Sequence, residues 1–260
     1  MSEPSPGLVV SDVSIQFGGL KAIDHASIRV PPATVVGLIG PNGSGKSTMI
    51  NLISRHYRLN GGSIFFDGHD LGRLTSSTVC ALGLARTFQN VRLFTTMTVR
   101  DNLLAGRTSR TGAGFWSSAL RLPGGEREER HSHKRIEEIA ALLGLEAYLD
   151  TIAGDMSFGS QRLIEIGRAL AAEPSLLLLD EPAAGLTQAE RGSLAVVLRR
   201  IRTDAQVALL LVEHDMAFVM GLCERIYALD FGRIIAEGTP AEVQANEAVI
   251  EAYLGVGTEA

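Results

Sequence analysis

Gly40-Pro41-Asn42-Gly43-Ser44-Gly45-Lys46-Ser47, with Thr48 behind it, is the stretch from which the fold can be read. The pattern is a glycine, four residues, then glycine, lysine and a hydroxyl residue. Glycines at these positions let successive backbone N–H groups turn inward as an anion nest. The helix that follows points its positive end at the same place, the lysine reaches terminal phosphate oxygens, and the hydroxyl can ligate Mg²⁺. A Gly/Ser-rich turn before a helix is the plainer alternative. The flanks favour phosphate binding, because residues 34–39, Thr-Val-Val-Gly-Leu-Ile, read as a buried strand entering the loop and residues 49–54 as a helix leaving it.

Outward from the loop, residues 8–30 are apolar stretches broken at Gly18-Gly19 and bounded by Pro31-Pro32, which is β-hairpin material. Residues 63–66, followed by Asp67-Gly68, read as a strand and a turn. The middle changes character: residues 99–105 and 127–143 carry helical periodicity, separated by a Gly/Ser-rich stretch over 106–125. Unbroken apolar runs return at 176–179 and 207–212, as in parallel strands covered on both faces. A helix over 188–202 lies between them, giving a strand-helix-strand unit, and residues 234–254 close with a short strand and small helices.

Two strand ends carry chemistry. Asp180-Glu181 follows Leu176-Leu177-Leu178-Leu179, where an acid that orients Mg²⁺ and a second that polarises an attacking water are expected at the C-terminal edge of a sheet. An acidic pair after a strand is otherwise a solvated cap; the upstream phosphate loop tips the reading to chemistry. His214 likewise follows the run ending at Val212, and a neutral imidazole there can bond a terminal phosphate and the water. By itself such a histidine is a surface residue.

Taken in order, the phosphate loop, Gln89, Ser157-Phe158-Gly159, Asp180-Glu181 and His214 resemble the nucleotide-binding subunit of an ATP-binding cassette transporter over nearly the whole chain. The resemblance implies an α/β P-loop NTPase core with an N-terminal antiparallel β subdomain and a helical signature subdomain. Residues 8–89 and 173–255 would form the core, 8–33 contributing to the β subdomain; 90–172 would be the helical part with an insertion, and 1–7 and 256–260 flexible termini. It further implies that Phe17 stacks on adenine, that Gln89 touches Mg²⁺ and the attacking water, and that Ser157 and Gly159 clasp the γ-phosphate held by a second subunit. Two departures stand out: Phe158 replaces the first glycine of the usual Leu-Ser-Gly-Gly-Gln signature, and Ser160 its glutamine. After Glu181, Thr187 stands where a carboxylate is usual, offering a hydroxyl across the dimer instead.

Arg86-Thr87-Phe88-Gln89, Arg92-Leu93-Phe94, Met97-Thr98-Val99, the run Pro182-Ala183-Ala184-Gly185-Leu186, and Glu213-His214-Asp215-Met216 are similar to one ATPase subunit of branched-chain amino-acid importers. So is the tail, with Gly238-Thr239-Pro240 and Ala252-Tyr253-Leu254-Gly255. That branch implies ATP and Mg²⁺ as ligands, two transmembrane permeases, a second and different ATPase, a periplasmic or extracellular substrate-binding protein, and a place on the cytoplasmic face of the inner membrane. Related importers carry urea, short amides or other acids. Rival readings stay open: the homodimeric ATPase of a lipid or lipopolysaccharide exporter, or a non-transport cassette acting on ribosomes or DNA. The latter typically has two cassettes or a long coiled coil, whereas this sequence has one cassette and no sustained heptads. A simple P-loop kinase leaves Ser157-Phe158-Gly159 and His214 without a role.

Composition sets the outer limits. The 260 residues are 45% hydrophobic and 20% charged, as in a packed globular chain. A net charge of -5 gives no overall basic field to recruit nucleic acid or anionic lipid. No run is long enough to span a bilayer, and residues 1–7 lack the basic-then-apolar pattern of a secretory signal. Cys80 and Cys223, far apart and without metal-ligand neighbours, are expected to be buried thiols in a reducing compartment. His131 and His133 near Glu128 and Glu129 read as a solvated helix face rather than a metal site. Residues 111–122, with Phe115 and Trp116, are expected to pack on their own helical subdomain rather than on a permease. A mean hydropathy of +0.16 points to apolar surface covered by partners.

Overall fold

A computed structural model of the chain describes residues 6–87, 92–107 and 125–254. Gln89 and residues 111–122, singled out above, lie outside them. Two sheets make the frame. The smaller is antiparallel, in the order β2-β1-β4-β5, from β1 (Leu8–Phe17), β2 (Leu20–Val30), β4 (Gly61–Phe66) and β5 (His69–Asp70). Its first hairpin turns where the sequence signals, with Phe17 paired to Leu20 across Gly18-Gly19 and Gly18 at a φ of 59°, in the left-handed region that glycine adopts without a Cβ clash.

The larger sheet has the order β10-β9-β3-β8-β7-β6, from β3 (Val35–Ile39), β6 (Leu84–Arg86), β7 (Leu176–Asp180), β8 (Ala208–Val212), β9 (Arg225–Asp230) and β10 (Arg233–Gly238). All neighbours are parallel except the last hairpin, β9 with β10. Every residue of β3, β7 and β8 is buried. The cause is visible in how their side chains divide. Leu177, Leu179, Leu209 and Leu211 enter a core shared with α3 (Val99–Arg107), α4 (Gly125–Leu143), α5 (Phe158–Leu170) and α6 (Gln188–Asp204). Leu176, Leu178, Leu210 and Val212 enter another, shared with the small sheet and α1 (Lys46–Ile53). An uninterrupted apolar run is therefore what a strand between two cores requires.

Several elements carry too little periodicity to be read in advance. β6 has three residues, and β9 is recognisable only once it lies beside β3. The short helices α2 (Ser76–Ala81) and α7 (Met216–Leu222) are held by their caps, with the Thr75 hydroxyl accepting from the Thr78 N–H and the Asp215 carboxylate from the Phe218 N–H. The last two, α8 (Pro240–Gln244) and α9 (Glu247–Leu254), follow β10, and Thr239 with Glu242 forms a capping box. The expectation of two buried thiols is half wrong. Cys223 is buried, but Cys80 is exposed, because α2 turns only Val79 inward.

Leu178 lies fully buried in β7 between two parallel neighbours. Leu178→Ala is expected to lower the unfolding free energy by about 2–5 kcal/mol, measured by urea denaturation.

Candidate functional site

Pairing across three strands brings the candidate residues to one edge. Leu38 of β3 lies opposite Val212 of β8, and Val212 opposite Asp180 of β7. Gly40 follows two residues after Leu38, Glu181 one after Asp180, and His214 two after Val212, so all emerge at the carboxyl end of the parallel sheet. The phosphate loop is clamped there. A Cβ on Gly40, at φ 152°, would lie 2.0 Å from the Leu229 carbonyl oxygen, and one on Gly45, at φ 111°, 2.6 Å from that of Ala22. Only glycine fits either place. The β9–β10 turn holds the loop from outside: the Gly232 N–H donates to the Ser44 carbonyl (2.8 Å), while the Gly232 carbonyl accepts from the Asp24 N–H (2.9 Å). Sequence reasoning missed Gly232.

The loop's side chains converge. The Lys46 ammonium donates to the carbonyls of Gly40 and Pro41, both at 2.8 Å. Burial pushes its pKa down, and the charges of Glu181 and Asp180 push it back up, so the three groups share one field. Lys46 and Ser47 sit in the first turn of α1, with Ser47 exposed and Thr48 half-buried. The Ser44 hydroxyl is buried and finds no hydrogen-bond partner among the described residues. A buried polar atom without a partner is costly. It lies in a nest of the kind that accepts phosphate oxygens.

Asp180 is 3% exposed, and burial raises its pKa against the charge and hydrogen bond of Arg86, which lower it. Arg86, at the end of β6, donates to the Asp180 carboxylate (3.1 Å), to the Asn51 side-chain oxygen (2.6 Å) and to the Ser54 hydroxyl (3.3 Å). It ties β7 to α1 below the phosphate loop. In the sequence Arg86 serves only as part of a resemblance, and nothing in its neighbours signals this role. A carboxylate such as that of Asp180 and a hydroxyl such as that of Ser47 are the hard-oxygen donors that suit Mg²⁺ with a phosphate.

Glu181 takes a φ of 49°, uncommon for a residue with a side chain, and its N–H donates to the Val212 carbonyl (2.9 Å). The His214 Nδ1 lies 3.9 Å from the Glu181 carboxylate and 3.7 Å from that of Glu213. Glu213 is fully buried. Burial raises its pKa, while the N–H groups of Ala183, His214 and Asp215 pull it down. The sequence motifs mark His214 and pass over the carboxylate before it; a glutamate directly after a buried strand was the available signal.

Ser157 and Gly159 stand apart, with contacts that run toward the loop after Glu181 rather than to the phosphate loop. Ser157 is the N-cap of α5, its hydroxyl accepting from the Ser160 N–H at 3.2 Å. Phe158, 46% exposed, lays its ring over Gly185, where a Cβ would sit 3.1 Å from the ring edge. Gly159 packs on Glu190, whose carboxylate also accepts from the Thr187 N–H (2.9 Å) and hydroxyl (2.8 Å). The Thr187 hydroxyl is thus engaged within its own chain, in the capping box of α6, and not held out for a second subunit. At the other end of the site Phe17, 45% exposed, meets Tyr57 edge-on with ring centroids 5.1 Å apart. Tyr57 is a second aromatic face that the sequence did not reveal.

A family model described as "ABC transporter" matches residues 23–184, and one described as "Branched-chain amino acid ATP-binding cassette transporter" matches residues 233–259. The chain is 37% identical over 255 residues to the high-affinity branched-chain amino acid transport ATP-binding protein LivG of Escherichia coli K12, covering 98% of this chain and 99% of that one. It is 37% identical over 250 residues to BraF of Pseudomonas aeruginosa, which bears the same description, covering 96% and 98%. Among solved structures, the ADP conformation of an ATP-binding cassette of an ABC transporter is similar with a TM-score of 0.84 at 30% identity, covering 97% of this chain and 100% of the other.

Removing the Arg86 cation leaves Asp180 buried without its hydrogen-bonded partner. Arg86→Met is expected to cost about 3 kcal/mol of stability, and adding Asp180→Asn to recover most of that loss, both read from urea denaturation of the single and double variants.

Proposed function

This chain belongs to the ABC transporter family of ATP-binding subunits, and from that premise we propose that it drives an importer of branched-chain or related amino acids, with the residues above in defined roles. It is an ATPase whose hydrolysis is coupled to transport. The observation that carries the assignment of roles is the meeting of Lys46, Asp180, Glu181 and His214 at one sheet edge.

In this reading Gly40, Pro41, Asn42, Gly43, Ser44 and Gly45 present the nest to the phosphates, and Lys46 leaves its two carbonyl partners for the terminal oxygens. Ser47, Asp180 and Gln89 would hold Mg²⁺, which supplies positive charge against the phosphates; Thr48 supports the loop from α1. Phe17, with Tyr57 beside it, stacks on adenine. Glu181 orients the attacking water and takes its proton as the γ-phosphoryl group passes from ADP to that water. His214 donates to the γ-phosphate. Ser157 and Gly159 face outward from this site and serve the nucleotide of a partner, so hydrolysis waits on a paired, closed state. The catalytic core is then 8–89 and 173–255, and 90–172 the helical arm that brings the signature to the partner.

The cargo class is supported by the match over residues 233–259 and by the names of the relatives. As the ATP-binding subunit of an ABC transporter the chain works with membrane permeases. No helix among the described residues is long and apolar enough to cross a membrane. The finer arrangement belongs to the proposal: two permeases, a second and distinct ATPase, an external substrate-binding protein, and attachment to the inner face of the membrane through the permeases.

Glu181→Gln is expected to cut hydrolysis by about 10²–10⁴-fold while retaining bound ATP, and Lys46→Ala to weaken nucleotide binding; wild-type turnover by Glu181→Gln in the reconstituted transporter would overturn the catalytic assignment. Tagged Glu181→Gln recovered from native membranes with Mg-ATP should bring down two different permeases and a second ATPase, identified by mass spectrometry. Recovery of a permease pair with this ATPase alone would point to a homodimeric exporter, and ribosomal or DNA-repair proteins without permeases would refute the transport role.

A further inference from the structure

Beyond its last rung, where the Glu181 N–H meets the Val212 carbonyl at 2.9 Å, the β7–β8 ladder comes apart. The chain after β7 turns through residues 182–187 toward α6, and the chain after β8 turns through His214 into α7. Each outgoing loop carries a group of the site, Glu181 on one and His214 on the other. Backbone rungs no longer join them, so their spacing must be held by something else.

The Glu213 carboxylate does so. One oxygen accepts from the Ala183 N–H at 2.7 Å, on the loop after Glu181, and the other accepts from the His214 N–H at 3.1 Å, on its own loop. Three N–H groups, counting that of Asp215, face the two oxygens. An ionised carboxylate is acceptor-only and satisfies such a set; a glutamine amide would turn an N–H against an N–H. The side chain is fully buried, so no water replaces it. A second link, from Arg191 of α6 to Asp215, joins the same two segments further from the site.

We infer that Glu213 is a positioning residue of the ATPase, its buried carboxylate stapling the loop after Glu181 to the loop of His214 and so setting the distance between them. The inference rests on the roles given to Glu181 and His214 above. A carboxylate in this place acts on rate rather than on nucleotide affinity, because the phosphate loop and Phe17 lie on other elements. A displacement of about 1 Å between reacting groups costs on the order of 10²-fold in rate.

The test uses the full-length chain with Glu213→Gln, Glu213→Asp, His214→Ala and the double variant Glu213→Gln/His214→Ala, each measured for hydrolysis against Mg-ATP, nucleotide affinity and melting. Aspartate is the informative replacement. One methylene shorter, it still reaches the amides of the next two residues, as in an Asx turn, but falls short of Ala183. Both Glu213 variants should lose kcat by about tenfold or more with KM changed by less than about twofold. Glu213→Asp should also melt with the wild type, which separates positioning from folding. In the His214→Ala background Glu213→Gln should cause no further loss. Wild-type kcat in Glu213→Asp, or a full multiplicative loss in the double variant, overturns the inference. Unchanged hydrolysis in His214→Ala would overturn the role of His214 itself, and the staple with it.

Discussion

In β3, β8 and β7 every apolar side chain enters one of two cores, so the buried strands leave no room for a charged group before their carboxyl ends. An isolated charge taken into such surroundings costs several kcal/mol. Polar groups can therefore appear only where the strands stop, and the parallel pairing makes them stop on one side. That constraint concentrates Lys46, Asp180, Glu181 and His214 within one field, with Asp180 as the last residue of β7 and the other three beyond the strand ends.

The charges gathered there need mutual support. Asp180 is nearly inaccessible and is balanced by Arg86 from the neighbouring strand, which in turn holds α1 through Asn51 and Ser54. Lys46 is satisfied by carbonyls of its own loop. Glu213 is satisfied by amides of two loops. Asp180 and Glu213 thus have partners on other segments, so the electrostatics that make the site tolerable also bind its segments to one another.

The departures in the signature acquire a physical sense from the same packing. Phe158 covers Gly185, which has no side chain to be displaced, and Gly159 leaves room for the Glu190 carboxylate. The start of α5 and the loop after Glu181 are thereby packed as one surface within the chain. A residue that breaks the usual signature is compensated by a glycine twenty-seven positions on in the same chain, counting from 158 to 185.

By itself the sequence determined the phosphate loop, the buried strands on either side of it and the order of the chemical groups, because glycine geometry and unbroken apolar runs are local signals. Asp180, Glu181 and His214 were legible because each lies within two residues of the end of such a run. Only the tertiary structure decided the pairing of Arg86 with Asp180, the latch from Gly232 to Ser44, Tyr57 beside Phe17, and the hold of Glu213 on Ala183. These partners are 94, 188, 40 and 30 residues apart in the chain. No local periodicity encodes them; each joins segments far apart in the chain, and the strand registers that bring such segments together exist only once the chain has folded.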